Sequence, residues 1–202
     1  SYLIDTVHLD FNLHATETRV RSRLKIKPNP AVAKPGPLVL DGEGLLLEQV
    51  KLDGRALGDD CYVITADSFH LSQTPTKPFT LEITTTINPE ANTALQGLYR
   101  SKGVYCTQCE AQGFRRITYF IDRPDNLALF EVTMTADAAL APILLANGNL
   151  VDEGQRGDGR HFARWVDPFP KPSYLFAMVA GDLGSISDRF VTCLLYTSPS
   201  PR

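Results

Sequence analysis

Near its N-terminal end the chain reads Val7-His8-Leu9-Asp10-Phe11-Asn12-Leu13-His14, and this stretch decides the fold class. Every second residue in it is apolar, and the residues between them are polar. A period of two is typical of a β-strand that buries one face. The alternation returns at residues 20–27, where one face carries Val20, Ser22, Leu24 and Ile26. The two stretches therefore predict an antiparallel pair of strands.

The same pattern recurs along most of the chain, in short runs that are separated by turn residues. Threonines alternate with apolar residues over 79–87, which suits a strand with a partly solvated face. Pairs such as Asp53-Gly54 supply the residues that turns need. Further strands are predicted at residues 45–52, 62–65, 117–120, 129–135, 161–166 and 174–180. Short, regularly spaced strands predict an all-β fold, an antiparallel two-sheet β-sandwich.

Domain organisation follows from where this pattern holds and where it stops. The best candidate for a helix is residues 137–145, and Pro142 argues against it. Pro168 and Pro170 are expected to end the preceding strand at Asp167. No linker separates two compositions, so residues 1–192 are predicted to form one domain. Residues 193–202 break the pattern and are predicted to be a non-native tail.

Composition argues against several classes of partner. The chain has 20 basic and 23 acidic residues, a net charge of -3, and no dense basic run, so we expect no nucleic-acid partner. The longest apolar run, residues 174–180, is far shorter than the roughly 20 residues that cross a bilayer, so we expect no membrane partner. Four cysteines are too few for a disulfide scaffold in a chain of 202 residues, which favours a cytoplasmic location.

Cys106 and Cys109 form a Cys-x-x-Cys pair, a spacing that zinc sites and redox proteins share. A closed zinc site would need a second such pair, and neither Cys61 nor Cys193 has a partner at that spacing. A redox pair normally opens a helix, whereas this pair precedes a predicted loop. We therefore expect two reduced thiols beside that loop.

One loop carries the residues that best fit a binding function. The chain reads Gln108-Cys109-Glu110-Ala111-Gln112-Gly113 and continues into the apolar stretch 114–121. Glu110 is a lone carboxylate in a loop that ends in glycine, a placement suited to holding a ligand's ammonium group. An ordinary solvated loop carboxylate gives the same pattern, so the residues alone leave both interpretations open. Local salt bridges or domain contacts are expected for Arg115, Arg116 and Arg123, and a turn role for Asp122.

Residues 108–125, together with 147–149 and 165–172, resemble the N-terminal domain of the M1 zinc aminopeptidases of the bacterial aminopeptidase N type. The resemblance implies a protein that releases N-terminal amino acids from peptides with a free N-terminus. It implies that Glu110 contacts the substrate amine and that Gln108 lines the pocket for the first side chain. It also implies a zinc cofactor, bound by a catalytic domain of the same polypeptide that lies beyond residue 192.

The catalytic motifs of that family are absent from this sequence. Neither His-Glu-x-x-His nor Gly-Ala-Met-Glu-Asn occurs in it. The histidines are not spaced as metal ligands on a helix and are expected at the polar surface: His8, His14, His70 and His161. We therefore expect no catalytic and no metal-binding residue, and no activity of this chain alone. A non-catalytic β-sandwich module for binding or adhesion, and a metal-dependent module built on the cysteines, remain alternatives.

Overall fold

A computed structural model describes residues 2–188, and this part of the chain is almost entirely β-structure. Three short 3-10 helices, Asp59–Cys61, Phe114–Arg116 and Ser173–Leu175, interrupt the strands. Residues 193–202, predicted to be a non-native tail, lie outside the described residues. Among residues 2–188, no helix has the length and apolar character to cross a membrane. The strands, in chain order, are β1 (Tyr2–Asn12), β2 (Thr18–Pro28), β3 (Val39–Asp41), β4 (Leu46–Leu52), β5 (Arg55–Ala56), β6 (Tyr62–Ile64), β7 (Ser68–Leu71), β8 (Phe79–Ile87), β9 (Gly97–Ser101), β10 (Val104–Gln108), β11 (Ala128–Asp137), β12 (Ile143–Ala146), β13 (Asn149–Gln155), β14 (Arg160–Lys171) and β15 (Met178–Gly181).

Within residues 2–188 the strands form three sheets around one hydrophobic core. Eight strands pair in the order β13-β14-β11-β1-β2-β8-β4-β5, four in the order β12-β15-β10-β9, and three in the order β3-β7-β6. The predicted all-β sandwich is confirmed. The structure adds a third sheet, and β1 pairs in parallel with β11 instead of every pair being antiparallel. Alternation shows which residues share a face but carries no information on the direction of a distant neighbouring strand.

The apolar faces of β1 and β2 lie at the centre of the core, as their alternation predicts. Val7 lies opposite Leu24, and Phe11 lies opposite Val20. All four side chains are at most 2% exposed. The alternate residues on the other face of β1 and β2 point towards solvent and are mostly polar or charged, and several form ion pairs across the strands of the large sheet. One face of the large sheet therefore packs on the smaller sheets, and the other is a charged surface.

Three local predictions are wrong, and the helix candidate is not a helix. The strand predicted at residues 174–180 is only Met178–Gly181, because Ser173–Leu175 form a 3-10 helix. Residues 117–120 are not a strand, because only Phe120 forms an isolated bridge, with Asp41. Residues 137–145 contain the end of β11, a turn and the start of β12. Strand β14 continues to Lys171 through Pro168 and Pro170. Proline is tolerated there because β13 pairs only as far as Val166 and the register with β11 shifts beyond that point.

Candidate functional site

The predicted site residues lie at the end of the hairpin that β9 and β10 form. Lys102 and Gly103 turn this hairpin with positive φ angles of 50° and 88°. Its last residue pair is Gln108 opposite Gly97. The chain then leaves the sheet and enters the 3-10 helix Phe114–Arg116. We call residues 108–116 the Glu110 loop.

The Glu110 loop is anchored in the core on both sides of an exposed tip. Cys109 is 2% exposed and Phe114 is fully buried, whereas residues 110–112 are exposed. The Phe114 ring packs against three aromatic rings, at centroid distances of 4.8 Å to Phe120, 5.8 Å to Phe130 and 5.2 Å to Phe176. The buried ends fix where the exposed tip leaves the surface.

The structure brings Gln108 and Glu110 together at this tip. The side-chain Nε2 of Gln108 donates a hydrogen bond to the backbone oxygen of Glu110 at 3.3 Å. The peptide bond between Glu110 and Ala111 is cis. Within the part of the chain that the structure describes, the Glu110 carboxylate has no hydrogen-bond or ion-pair partner. An exposed carboxylate without an internal partner keeps its full charge available for a cationic ligand.

A buried aspartate, Asp122, holds the C-terminal end of the Glu110 loop by hydrogen bonds to Arg115. Asp122 is 1% exposed, and its Oδ2 accepts hydrogen bonds from the backbone N and from Nε of Arg115, both at 3.1 Å. Its Oδ1 accepts a hydrogen bond from Oγ of Ser173 at 2.6 Å. The prediction of a turn role for Asp122 is wrong. The signal in the sequence was an acidic residue directly after the apolar run 119–121, where an unpaired charge would be costly.

All three arginines form salt bridges, one of the two roles expected for them, although the partner of Arg116 is 73 residues away in the sequence. Arg115 pairs with Asp122 and Arg116 pairs with Glu43. Arg123 pairs with Asp125 at 3.1 Å, and both of these side chains are more than half exposed. Of these three pairs, only that of Arg115 has a buried acidic partner, Asp122. Removal of the Arg115 side chain would therefore leave a buried carboxylate without an ion-pair partner.

Gly113 closes the Glu110 loop where two stretches of backbone meet. A Cβ atom added there would lie 2.4 Å from the carbonyl oxygen of Gln108 and 3.0 Å from the backbone N of Gly97. We expect Gly113→Ala to lower the free energy of unfolding by about 1–3 kcal/mol, because backbone atoms must move to admit the methyl group. Urea denaturation followed by circular dichroism measures the change.

Gly157→Ala is the matched control for this substitution. A Cβ atom at Gly157 meets nothing within 4 Å, so its effect should stay within about 0.5 kcal/mol. Equal losses of stability in the two variants would contradict the packing explanation.

Two cysteines near the site, Cys106 and Cys109, are thiols whose pKa is raised. Among residues 2–188, no disulfide bond forms, and Cys61, Cys106 and Cys109 are free. Burial raises the pKa of Cys106, and burial together with the charge of Asp122 raises the pKa of Cys109 to about 12. A redox dithiol needs a lowered thiol pKa, so this environment argues against that function.

We expect Cys109 to resist alkylation by iodoacetamide in the native protein at pH 8. A thiol with a pKa of about 12 carries roughly a thousandfold less thiolate at that pH than one with the ordinary value of 9.0. Peptide mass spectrometry measures the modification at each cysteine. Labelling in urea serves as the positive control, and native labelling of Cys109 as fast as that of Cys61 would contradict the expectation.

Metal ligands do not converge in this part of the protein. Among residues 2–188, no group of three or more His, Cys, Asp or Glu residues is placed to hold a metal ion. His8 instead pairs with Glu131, and His161 bonds to the backbone oxygen of Ala141. The described residues therefore do not fit a zinc ion.

A wide depression of about 620 Å³ lies on the charged face of the large sheet, away from the predicted site residues. Five cationic side chains and two carboxylates line it, so it disfavours a positively charged peptide end. The exposed Glu110 carboxylate is the better candidate for binding an amine. The charged residues that line the depression are Asp10, Arg19, Arg21, Lys51, Arg156, Asp158 and Arg160.

Comparison of the sequence with known families and proteins gives consistent matches. Residues 5–175 match the family model described as Peptidase M1 N-terminal domain. Aminopeptidase N of Caulobacter vibrioides is 49% identical over 191 residues, covering 95% of this chain and 22% of the relative. Aminopeptidase N of Escherichia coli is 44% identical over 191 residues, covering 95% of this chain and 21% of the relative. The chain thus spans about a fifth of the length of these relatives.

Comparison with solved structures agrees with the sequence matches. Aminopeptidase A of Legionella pneumophila, solved in complex with aspartic acid, superposes with a TM-score of 0.86 at 38% identity, covering 91% of this chain and 22% of that one. An M1 zinc metallopeptidase from Deinococcus radiodurans gives a TM-score of 0.75 at 19% identity, covering 89% of this chain and 42% of that one. At that lower identity the second likeness shows the fold alone.

Proposed function

Because this chain belongs to the Peptidase M1 N-terminal domain family, we propose that it is the substrate-cleft domain of a zinc aminopeptidase. The longer protein would release N-terminal amino acids from peptides. The observation that carries this proposal is the 49% identity to an aminopeptidase N over 95% of the chain. A shared fold alone would not support an activity, because one fold serves many functions.

Within that function, we assign Glu110 to the substrate's α-ammonium group. Its carboxylate is exposed and has no partner among the described residues, so a cationic ligand meets an unneutralised charge. Gln108 lies beside it and is assigned to the pocket for the first side chain. The Legionella relative is in complex with aspartic acid, a ligand that carries the same ammonium group.

The peptide bond itself would be cleaved outside the described residues. We propose that a catalytic domain elsewhere in the same polypeptide binds zinc, which acts as a Lewis acid in hydrolysis. This chain would close the cleft over the peptide and hold its N-terminus in place, which contributes to rate through orientation. We also propose a cytoplasmic location, because a reducing compartment maintains the free thiols.

The proposal is tested by comparing this chain with the longer protein that contains it. We expect residues 1–192 alone to hydrolyse no aminoacyl p-nitroanilide. The longer protein should hydrolyse the same substrate and lose activity when a chelator removes zinc. Turnover by the isolated chain would contradict the proposal that catalysis belongs to another domain. A longer protein that binds peptides but hydrolyses none would favour the non-catalytic binding module.

A further inference from the structure

We propose that Asp122 is a positioning residue for substrate binding, acting through the Glu110 loop. This inference rests on the proposed function, because it requires that Glu110 bind the substrate amine. Asp122 itself is buried and has no access to a ligand. Its effect on substrate would come from the backbone that it holds.

The contacts of Asp122 converge on Arg115, at the C-terminal base of the loop. One carboxylate oxygen accepts from both the backbone N and Nε of Arg115, and the Asp122 backbone oxygen accepts from a terminal guanidinium nitrogen at 3.3 Å. The Arg115 carbonyl oxygen in turn accepts from the backbone N of Glu43 at 3.0 Å. Arg115 is therefore held through its amide, its carbonyl and its side chain. The chain has little freedom to rotate at this point.

Asp122 is fixed from two distant parts of the fold. Oγ of Ser173, in the 3-10 helix before β15, donates to its Oδ1 at 2.6 Å, and its backbone N donates to Oδ2 of Asp41 in β3 at 3.0 Å. Asp41 also forms both backbone hydrogen bonds of its bridge with Phe120. The base of the Glu110 loop is thereby joined to the three-stranded sheet, through β3, and to the segment that connects β14 with β15. The charge of Asp122 also acts on Cys109 near the other end of the loop.

Loss of the Asp122 charge should loosen the loop without removing a group that touches substrate. In Asp122→Asn, the amide can turn its oxygen towards Arg115 and its NH₂ group towards Ser173 Oγ, but in either orientation the negative charge that pairs with the Arg115 guanidinium is lost. A misplacement of about 1 Å in a positioning group is enough to weaken binding strongly. We expect KM to rise about tenfold while kcat changes less than about threefold, because the ammonium contact is made in the ground state as well as in the transition state.

The decisive experiment is a double-mutant cycle in the full-length enzyme with Glu110→Ala and Asp122→Asn. If Asp122 acts through Glu110, the double variant should have a KM within about twofold of Glu110→Ala alone. Asp125→Asn is the matched control, since Asp125 also pairs with an arginine Nε at 3.1 Å but is exposed. It should leave KM unchanged. Circular dichroism and thermal melting confirm that each variant is folded.

Each other outcome overturns a defined part of the argument. If Glu110→Ala leaves KM unchanged, the role of Glu110 and this inference both fail. If Glu110→Ala raises KM but Asp122→Asn does not, only this inference fails. If the two effects multiply in the double variant, Asp122 stabilises the fold generally and the inference fails. Should Asp122→Asn not fold, Ser173→Ala removes one donor to the same carboxylate and should raise KM about twofold, again only when Glu110 is present.

Discussion

Glu110→Ala in the full-length enzyme is expected to lower kcat/KM for aminoacyl substrates by at least about tenfold. Removal of one partner of a desolvated ion pair typically costs about 2–5 kcal/mol, and about 1.4 kcal/mol already corresponds to a factor of ten. The carboxylate has no competing partner among the described residues. Its removal should therefore weaken substrate binding without changing the free energy of unfolding of the domain. Steady-state kinetics with aminoacyl p-nitroanilides measure the change.

The controls for Glu110→Ala separate charge from size and position. Glu110→Gln keeps the shape but removes the charge, and it should lose nearly as much activity. Glu153→Ala removes another exposed glutamate, on β13, and should leave kinetics unchanged. A competitive inhibitor with an amine should bind the Glu110→Ala variant more weakly, whereas its desamino analogue should bind both proteins equally. Unchanged kinetics in Glu110→Ala would reject the assignment.

Phe114→Ala is expected to cause the largest loss of stability, about 3–5 kcal/mol. The side chain is fully buried and touches three other aromatic rings, so truncation removes apolar contact and leaves a cavity at the centre of that cluster. A loss of this size is a large fraction of the roughly 5–15 kcal/mol that a domain has in total. Equilibrium urea unfolding of this chain measures it.

Phe169→Ala provides the matched control for Phe114→Ala. Phe169 is 73% exposed on β14, so the same substitution there removes little buried area. We expect a change within about 0.5 kcal/mol. A similar loss in both variants would show that the aromatic cluster around Phe114 is not a main source of stability.

The alternation of single residues predicted the fold class and the main strands. Val7, Leu9 and Phe11 are buried on one face of β1 because a period of two commits every second side chain to the core. The exposed position of Glu110 and its closeness to Gln108 also agree with the sequence, since both follow from a short loop after a strand. The local sequence pattern is sufficient to predict a structural feature when the residues that form it are close together in the sequence.

The hydrogen bonds that hold the Glu110 loop in place could not be predicted from the sequence, because they join residues that are far apart in the chain. Asp122 bonds to Ser173 across 51 residues and to Asp41 across 81 residues. Nothing in the apolar run before Asp122 specifies which donors will meet it.

The parallel pairing of β1 with β11 has a consequence for how the protein folds during synthesis. Strand β1 can pair with β2 as soon as both leave the ribosome. The other edge of β1 has no partner until β11, residues 128–137, has been synthesised. At a synthesis rate of roughly 5–20 residues per second, about 5–20 s pass between the completion of β2 and the completion of β11. Throughout that time one row of β1 amide and carbonyl groups lacks its partner strand and is open to wrong partners. We expect this nascent chain to depend on chaperones until β11 has been translated.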